Sequence, residues 1–126
     1  MKLRTSLVLA ALIFGTLVCV YAADISGKWT AEFDSQVGVQ KYTYELKIDE
    51  GTITGEASAN IGGSDFESKI VDGKIDGDKI TFVENLNYNG MDLVITYTGT
   101  VAGDEMKLSR DVSGMGGETL VAKRAK

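Results

Sequence analysis

Histidine is absent from the 126 residues, and the single cysteine, Cys19, lies in an apolar N-terminal run. Zinc sites built on His and Cys, His-assisted serine triads and cysteine nucleophiles therefore have no residues to use. Carboxylates remain. Two of them ~5–10 Å apart across a cleft could hydrolyse a glycosidic bond, but most acids here fall in turns or on the polar side of alternating segments, where they keep the chain soluble. Glu84 is the exception. It continues the face of Ile80 and Phe82, so it should point inward near one end of its strand, as a ligand contact or a member of a buried pair. The plainer reading is a strand end drifting into solvent. Asp72, Asp76 and Asp78 lack the ligand series and closing Glu of an EF-hand loop and read as turn residues. No catalytic residue, metal ligand or cofactor is assigned, and a non-enzymatic protein is expected.

The aromatic residues offer a different chemistry. Tyr42, Tyr44, Phe82 and Tyr97 each fall on the apolar side of an alternating segment. Three buried phenols would each need a hydrogen-bond partner, either an interior polar group such as Ser68 or a bound ligand. Packing of the core alone is the competing account. Tyr88 stands between Asn87 and Asn89 at a turn, where an aromatic flanked by amides can stack on a sugar. Tyr42, Tyr44, Phe82, Glu84, Tyr88 and Tyr97 are thus the candidate ligand residues.

These side chains need strands to hold them. Ile25, Gly27, Trp29, Ala31 and Phe33 alternate with Ser26, Lys28, Thr30 and Glu32, the pattern of a strand with one dry side. This segment carries the only Trp in the chain. Val39–Asp49 alternates likewise, with Tyr42, Tyr44, Leu46 and Ile48 inward, and ends in an Asp49-Glu50-Gly51 turn. Thr52–Ala59 presents small residues inward (Gly55, Ala57, Ala59), so something large must fill the space beside it or a cavity remains. Asp65–Val71, Lys79–Asn87, Met91–Val101, Glu105–Val112 and Glu118–Arg124 complete eight predicted strands. On the sixth, Met91, Leu93, Ile95, Tyr97, Gly99 and Val101 share the inward face. A repeat, Gly-x-aliphatic-x-Gly-Asp-x-apolar-x-apolar, begins at Gly73 and again at Gly99, and each copy reads as strand end, Gly-Asp turn and new strand. The fold predicted is all-β, an eight-stranded antiparallel up-and-down barrel with its oily face inward; closure removes exposed sheet edges. A membrane barrel would turn its apolar face to lipid between aromatic girdles, which these strands lack.

Met1-Lys2-Leu3-Arg4 is a basic start, Ser6–Val20 is apolar, and Val20-Tyr21-Ala22 suits a signal peptidase. Residues 1–22 therefore read as a signal peptide cut near Ala22, and residues 23–126 as the barrel domain. An uncleaved anchor would need ~20 apolar residues, and bulky Val18 stands where a lipidated Cys19 would want a small neighbour. Cleavage leaves 104 residues with 11 basic (13 less Lys2 and Arg4) and 18 acidic, a formal charge of −7. Phosphate backbones repel such a surface, so nucleic acid is excluded as a partner. No cysteine survives in the mature chain, so stability must come from the core. The expected location is secreted or periplasmic, with no membrane span in the mature chain.

Gly27-Lys28-Trp29 on the first strand resembles the Gly-x-Trp signature of the calycins, the lipocalin and avidin superfamily. The resemblance implies that Trp29 closes the barrel floor beside Gly27, with an Arg of the last strand across its ring. Arg124 sits in the matching place, with Arg110 in reserve. A guanidinium over an indole gains roughly 0.5–2 kcal/mol whatever the family. The layout is nearest the avidins, with Thr52-Ile53-Thr54-Gly55 after the second turn. Avidins stack biotin between several tryptophans and this chain has one, so biotin is not expected. Asp24–Lys123 also resembles small barrel modules found alone or beside secreted bacterial hydrolases, including Gln36-Val37-Gly38-Val39-Gln40-Lys41-Tyr42 and Val121-Ala122-Lys123-Arg124. Two functions follow. One is binding of a small hydrophobic or sugar ligand at the barrel mouth. The other is an accessory module whose filled barrel displays loops to a glycan or protein, such as a hydrolase inhibitor. A dry pocket of ~300 Å³ or more lined by Tyr44, Phe82 and Tyr97 would favour the first, and a solid interior the second.

Overall fold

The computed structural model describes residues 24–125. The expected signal peptide, the expected cleavage near Ala22 and Cys19 lie outside the described residues. Eight strands run in chain order: β1 (Gly27–Ser35), β2 (Gly38–Asp49), β3 (Thr52–Ile61), β4 (Ser64–Asp76), β5 (Lys79–Tyr88), β6 (Met91–Ala102), β7 (Glu105–Val112) and β8 (Thr119–Arg124). Each pairs antiparallel with the next, and β8 returns to β1 to close the barrel. Burial alternates along the strands, broken only at a bulge in β4: Trp29, Ala31 and Phe33 are buried on β1, and Lys28, Thr30 and Glu32 are exposed. No helix among the described residues is long and apolar enough to cross a membrane.

Six of the seven hairpins use two-residue turns. Glu50-Gly51, Gly77-Asp78 and Gly103-Asp104 lie at the end where β1 begins, which is the floor. Gln36-Val37, Gly62-Gly63 and Asn89-Gly90 lie at the opposite end, the mouth. The one longer loop, Ser113–Glu118, is also at the mouth. Both copies of the sequence repeat thus end in floor hairpins, with Gly77 and Gly103 at φ 64° and 63°.

The structure departs from the sequence expectation at the end of β4 and at Met91. β4 continues past Val71 to Asp76 through a bulge, where the register with β5 slips between Val71 and Lys74. Asp72 takes φ 51°, and a Cβ on Gly73 would stand 2.5 Å from the Cβ of Ile53. Gly73 therefore allows a close approach inside a bent strand instead of ending it. Met91, expected inward, is 57% exposed because it leaves the Asn89-Gly90 turn at the rim. Ala57 and Ala59 pair with Tyr44 and Tyr42 on the neighbouring strand, and all four residues are buried, so large inward side chains stand beside the small ones.

The floor is built around Trp29, which is fully buried and donates Nε1–H to the Ile25 carbonyl at 2.9 Å. Arg124 lies over the indole at 4.4 Å from the ring centre. Its Nη1 and Nη2 donate to the Ser26 and Asp24 carbonyls at 3.2 and 2.9 Å, and its Nε pairs with Asp104 at 2.9 Å. Gly27 sits at the exposed floor edge at φ 117°, a conformation that favours glycine. The floor thus ties the start of the described chain to its end. Trp29→Ala is expected to cost roughly 3–5 kcal/mol in denaturant unfolding, as for a buried aromatic. A loss below about 1 kcal/mol would show that the indole does not hold the core.

Candidate functional site at the barrel mouth

The centre of the barrel is a polar network on inward positions of four strands. Glu84 on β5 is fully buried. Its Oε2 accepts from Tyr42 on β2 at 2.9 Å and from Ser68 on β4 at 2.7 Å, and its Oε1 accepts from Tyr97 on β6 at 2.7 Å. The Tyr44 hydroxyl lies 3.0 Å from that of Tyr97. Because Tyr97 gives its proton to Glu84, Tyr44 donates to Tyr97. Every phenol of the trio is therefore partnered by protein. The rings also pack on one another: Phe82 stacks on Tyr97 at 4.5 Å and Tyr42 on Tyr44 at 5.1 Å.

Burial pushes the Tyr42, Tyr44 and Tyr97 phenols above the ordinary tyrosine range. The negative Glu84 adds to the rise for Tyr42 and Tyr44, and Tyr44 followed by Glu84 adds to it for Tyr97. Arg110 on β7 covers this network from the mouth side. Its guanidinium lies 5.1, 5.2 and 5.5 Å from the ring centres of Phe33, Tyr42 and Tyr97. Burial works against its charge, but the electronegative surroundings of Tyr97, Tyr42 and Glu84 outweigh that, and its pKa is raised. Nη1 reaches Gln40 Oε1 at 3.4 Å, and Nε faces Glu118 Oε1 at 3.4 Å as an ion pair without hydrogen-bond geometry.

Above Arg110 the barrel opens into a cavity of about 450 Å³. Ile61, Leu86, Tyr88, Leu93, Val112 and Met115 form its apolar wall. Arg110, Gln40 and Glu118 are its polar floor and side. The Ser113–Glu118 loop closes over one edge and carries Met115, 74% exposed.

Of the six candidate ligand residues, only Tyr88 lines this cavity. Its half-buried ring packs on Phe66 at 5.0 Å, and the neighbouring Asn87 amide serves the turn by bonding Asp92 and Gly90. Tyr42, Tyr44, Phe82, Glu84 and Tyr97 lie together below the cavity. Gly27, Trp29 and Arg124 form the opposite end. The sequence reading passed over Gln40 and Arg110 as mouth residues, although the period-two pattern reaches both. Gln40 precedes Tyr42 and Tyr44 on the inward face of β2, and Arg110 follows Met106 and Leu108 on that of β7. Arg110 enters the sequence analysis only as the reserve partner for Trp29, a place that Arg124 fills.

Comparison with known proteins finds no family model, no curated protein and no solved structure that matches this chain.

Raised phenol values carry a pH signature. An unfolded tyrosine ionises near pH 10, whereas these three stay protonated in the folded state. Their contribution is complete below pH 10 and is lost as pH climbs above it, by on the order of 1 kcal/mol per phenol per pH unit. Alkaline titration should show the phenolate absorbance of Tyr42, Tyr44 and Tyr97 appearing only together with loss of the native circular dichroism. Smooth ionisation of all tyrosines near pH 10 in the folded protein would contradict the network.

Proposed function

We propose that this protein is a secreted or periplasmic, non-enzymatic barrel of the calycin type that holds a small organic ligand at its mouth. The observation that carries this reading is the cavity of about 450 Å³, apolar around its wall and ending on the buried guanidinium of Arg110. Its size and mixed lining suit one small molecule. The ligand would have an apolar body against Leu86, Leu93 and Val112, and a hydrogen-bond acceptor turned to Arg110. The calycin assignment is supported by Gly27-Lys28-Trp29 on the first strand and by Arg124 across the Trp29 ring. Nothing in the network below the cavity is asked to react: the phenols and Glu84 are engaged with one another.

A second reading has its own support. The middle of the barrel is filled, and the cavity is not lined by Tyr44, Phe82 or Tyr97. The long Ser113–Glu118 loop with exposed Met115 also stands where a display module would present a contact to a glycan or protein. The two readings part on whether the mouth takes up small molecules.

Native mass spectrometry of protein purified from its own host tests this directly, because a retained ligand appears as added mass. Titration with the neutral apolar dye N-phenyl-1-naphthylamine supplies the mutational arm. Leu93→Trp, placed at the half-buried rim, should weaken dye binding at least about tenfold and leave the melting temperature within a few degrees. Absence of any adduct together with dye binding that is unchanged by Leu93→Trp would remove ligand uptake and leave the display reading.

A further inference from the structure

The large apolar side chains that stay exposed gather at one end of the barrel. Among the described residues there are six: Val37, Val39, Met91, Val94, Met115 and Val121. Val37, Met91 and Met115 lie in or beside three different mouth connections and line the same cavity. Val39 and Val94 continue this crown onto the outer wall. Their carbonyls accept from the Gly62 and Ser113 N–H groups of the mouth connections, at 3.2 and 2.8 Å. Only Val121 lies apart, paired with Lys107 nearer the floor. Met115 is held up by its loop. The Asp111 carboxylate accepts from the Gly114 and Gly116 N–H groups at 2.8 and 3.3 Å, and the Met115 N–H donates to the Val112 carbonyl at 2.9 Å.

Exposed charge at this end has one sign. Asp34, Asp65, Asp92 and Asp111 are exposed, each two residues from a mouth connection, and no Lys or Arg lies within two residues of one. The floor turns carry acids as well, but Lys79 and Arg124 stand among them and no large apolar side chain is exposed there. The mouth alone joins an apolar crown to an acidic collar.

We propose that this rim is a docking surface for a partner protein carrying an apolar projection flanked by lysine or arginine. A molecule held in the cavity cannot also cover Val39 and Val94, which are exposed on the outer wall. The occupant of the rim is therefore larger than the cavity, and aliphatic contacts select a protein surface over a glycan or a nucleic acid. The collar then chooses among apolar surfaces. It repels an anionic bilayer and a second copy of the same rim, and it attracts a basic partner. Because turn and loop hydrogen bonds already fix the crown, little ordering is needed on contact. The inference goes beyond uptake of a small molecule and rests on the exposed rim, whatever the cavity holds.

Methyl NMR on the whole protein tests the proposal, read at the Met91 and Met115 methyl signals. The probe is a capped synthetic peptide of paired leucines between two runs of lysine. Its leucine–glutamate counterpart, a serine–lysine peptide and phosphatidylglycerol vesicles serve as comparisons. The leucine–lysine peptide should shift both signals to saturation and bind at least about tenfold more tightly than either other peptide. The double variant Asp34→Lys, Asp92→Lys, at two exposed positions, should reverse the preference to the glutamate peptide. The proposal is overturned if the signals stay in place, or if the glutamate or serine peptide binds as well as the leucine–lysine one. It is equally overturned if the vesicles shift the same signals as strongly, or if the signals move with protein concentration alone. Dye uptake by the cavity is a separate measurement, so the two readings fail separately.

Discussion

A carboxylate with no access to water must be surrounded by donors, and Glu84 shows how much structure that requirement recruits. Its three hydrogen bonds come from β2, β4 and β6, and Tyr44 extends the chain of hydroxyls back to β2. Removing the Tyr97 hydroxyl would leave Glu84 Oε1 and the Tyr44 hydroxyl buried and unpaired, which costs more than the bond itself contributes. The arrangement also fixes the barrel's contents. With three phenols, Phe82 and Glu84 occupying the middle, any guest is displaced toward the mouth, and Arg110 becomes the boundary between the filled interior and the open cup.

The two ends are built on different chemistry. At the floor, Trp29 and Arg124 join residues nearly a hundred positions apart through an indole–guanidinium stack and three hydrogen bonds donated by the Arg. Tight turns close that end, and none leaves room for a loop. At the mouth the guanidinium of Arg110 faces rings on its inner side and a cavity on its outer side, and the only long loop among the described residues lies beside it. One residue type thus does two jobs according to whether its remaining hydrogen bonds are filled.

The architecture was legible because strict alternation on β1, β2 and β5 and turn dipeptides such as Asn89-Gly90 leave little choice of register. The pairing of Glu84 with Ser68 and the phenols was foreshadowed by the demand that buried hydroxyls find partners. The mouth was harder to read. Period-two counting locates Arg110 on the inner face but does not say that its charge is held by rings, nor which of several inward tyrosines reach the surface. The end of β4 misled for a related reason: a glycine that permits a close crossing, as Gly73 does, looks in sequence like one that breaks the strand. Separating them requires knowing that Ile53 lies against it, a contact made between strands.

The closure of β8 onto β1 has a bearing on assembly order. β1 and β8 are the first and last strands, so the ring is completed by the two segments most distant along the chain, across a junction of two residue pairs. A polypeptide emerging from its amino end can zip seven neighbouring hairpins progressively, since those contacts are local. It cannot shut until Lys123 and Arg124 have emerged. Until then the edges of β1 and β7 lie bare, and the indole waits uncapped for the arginine of β8.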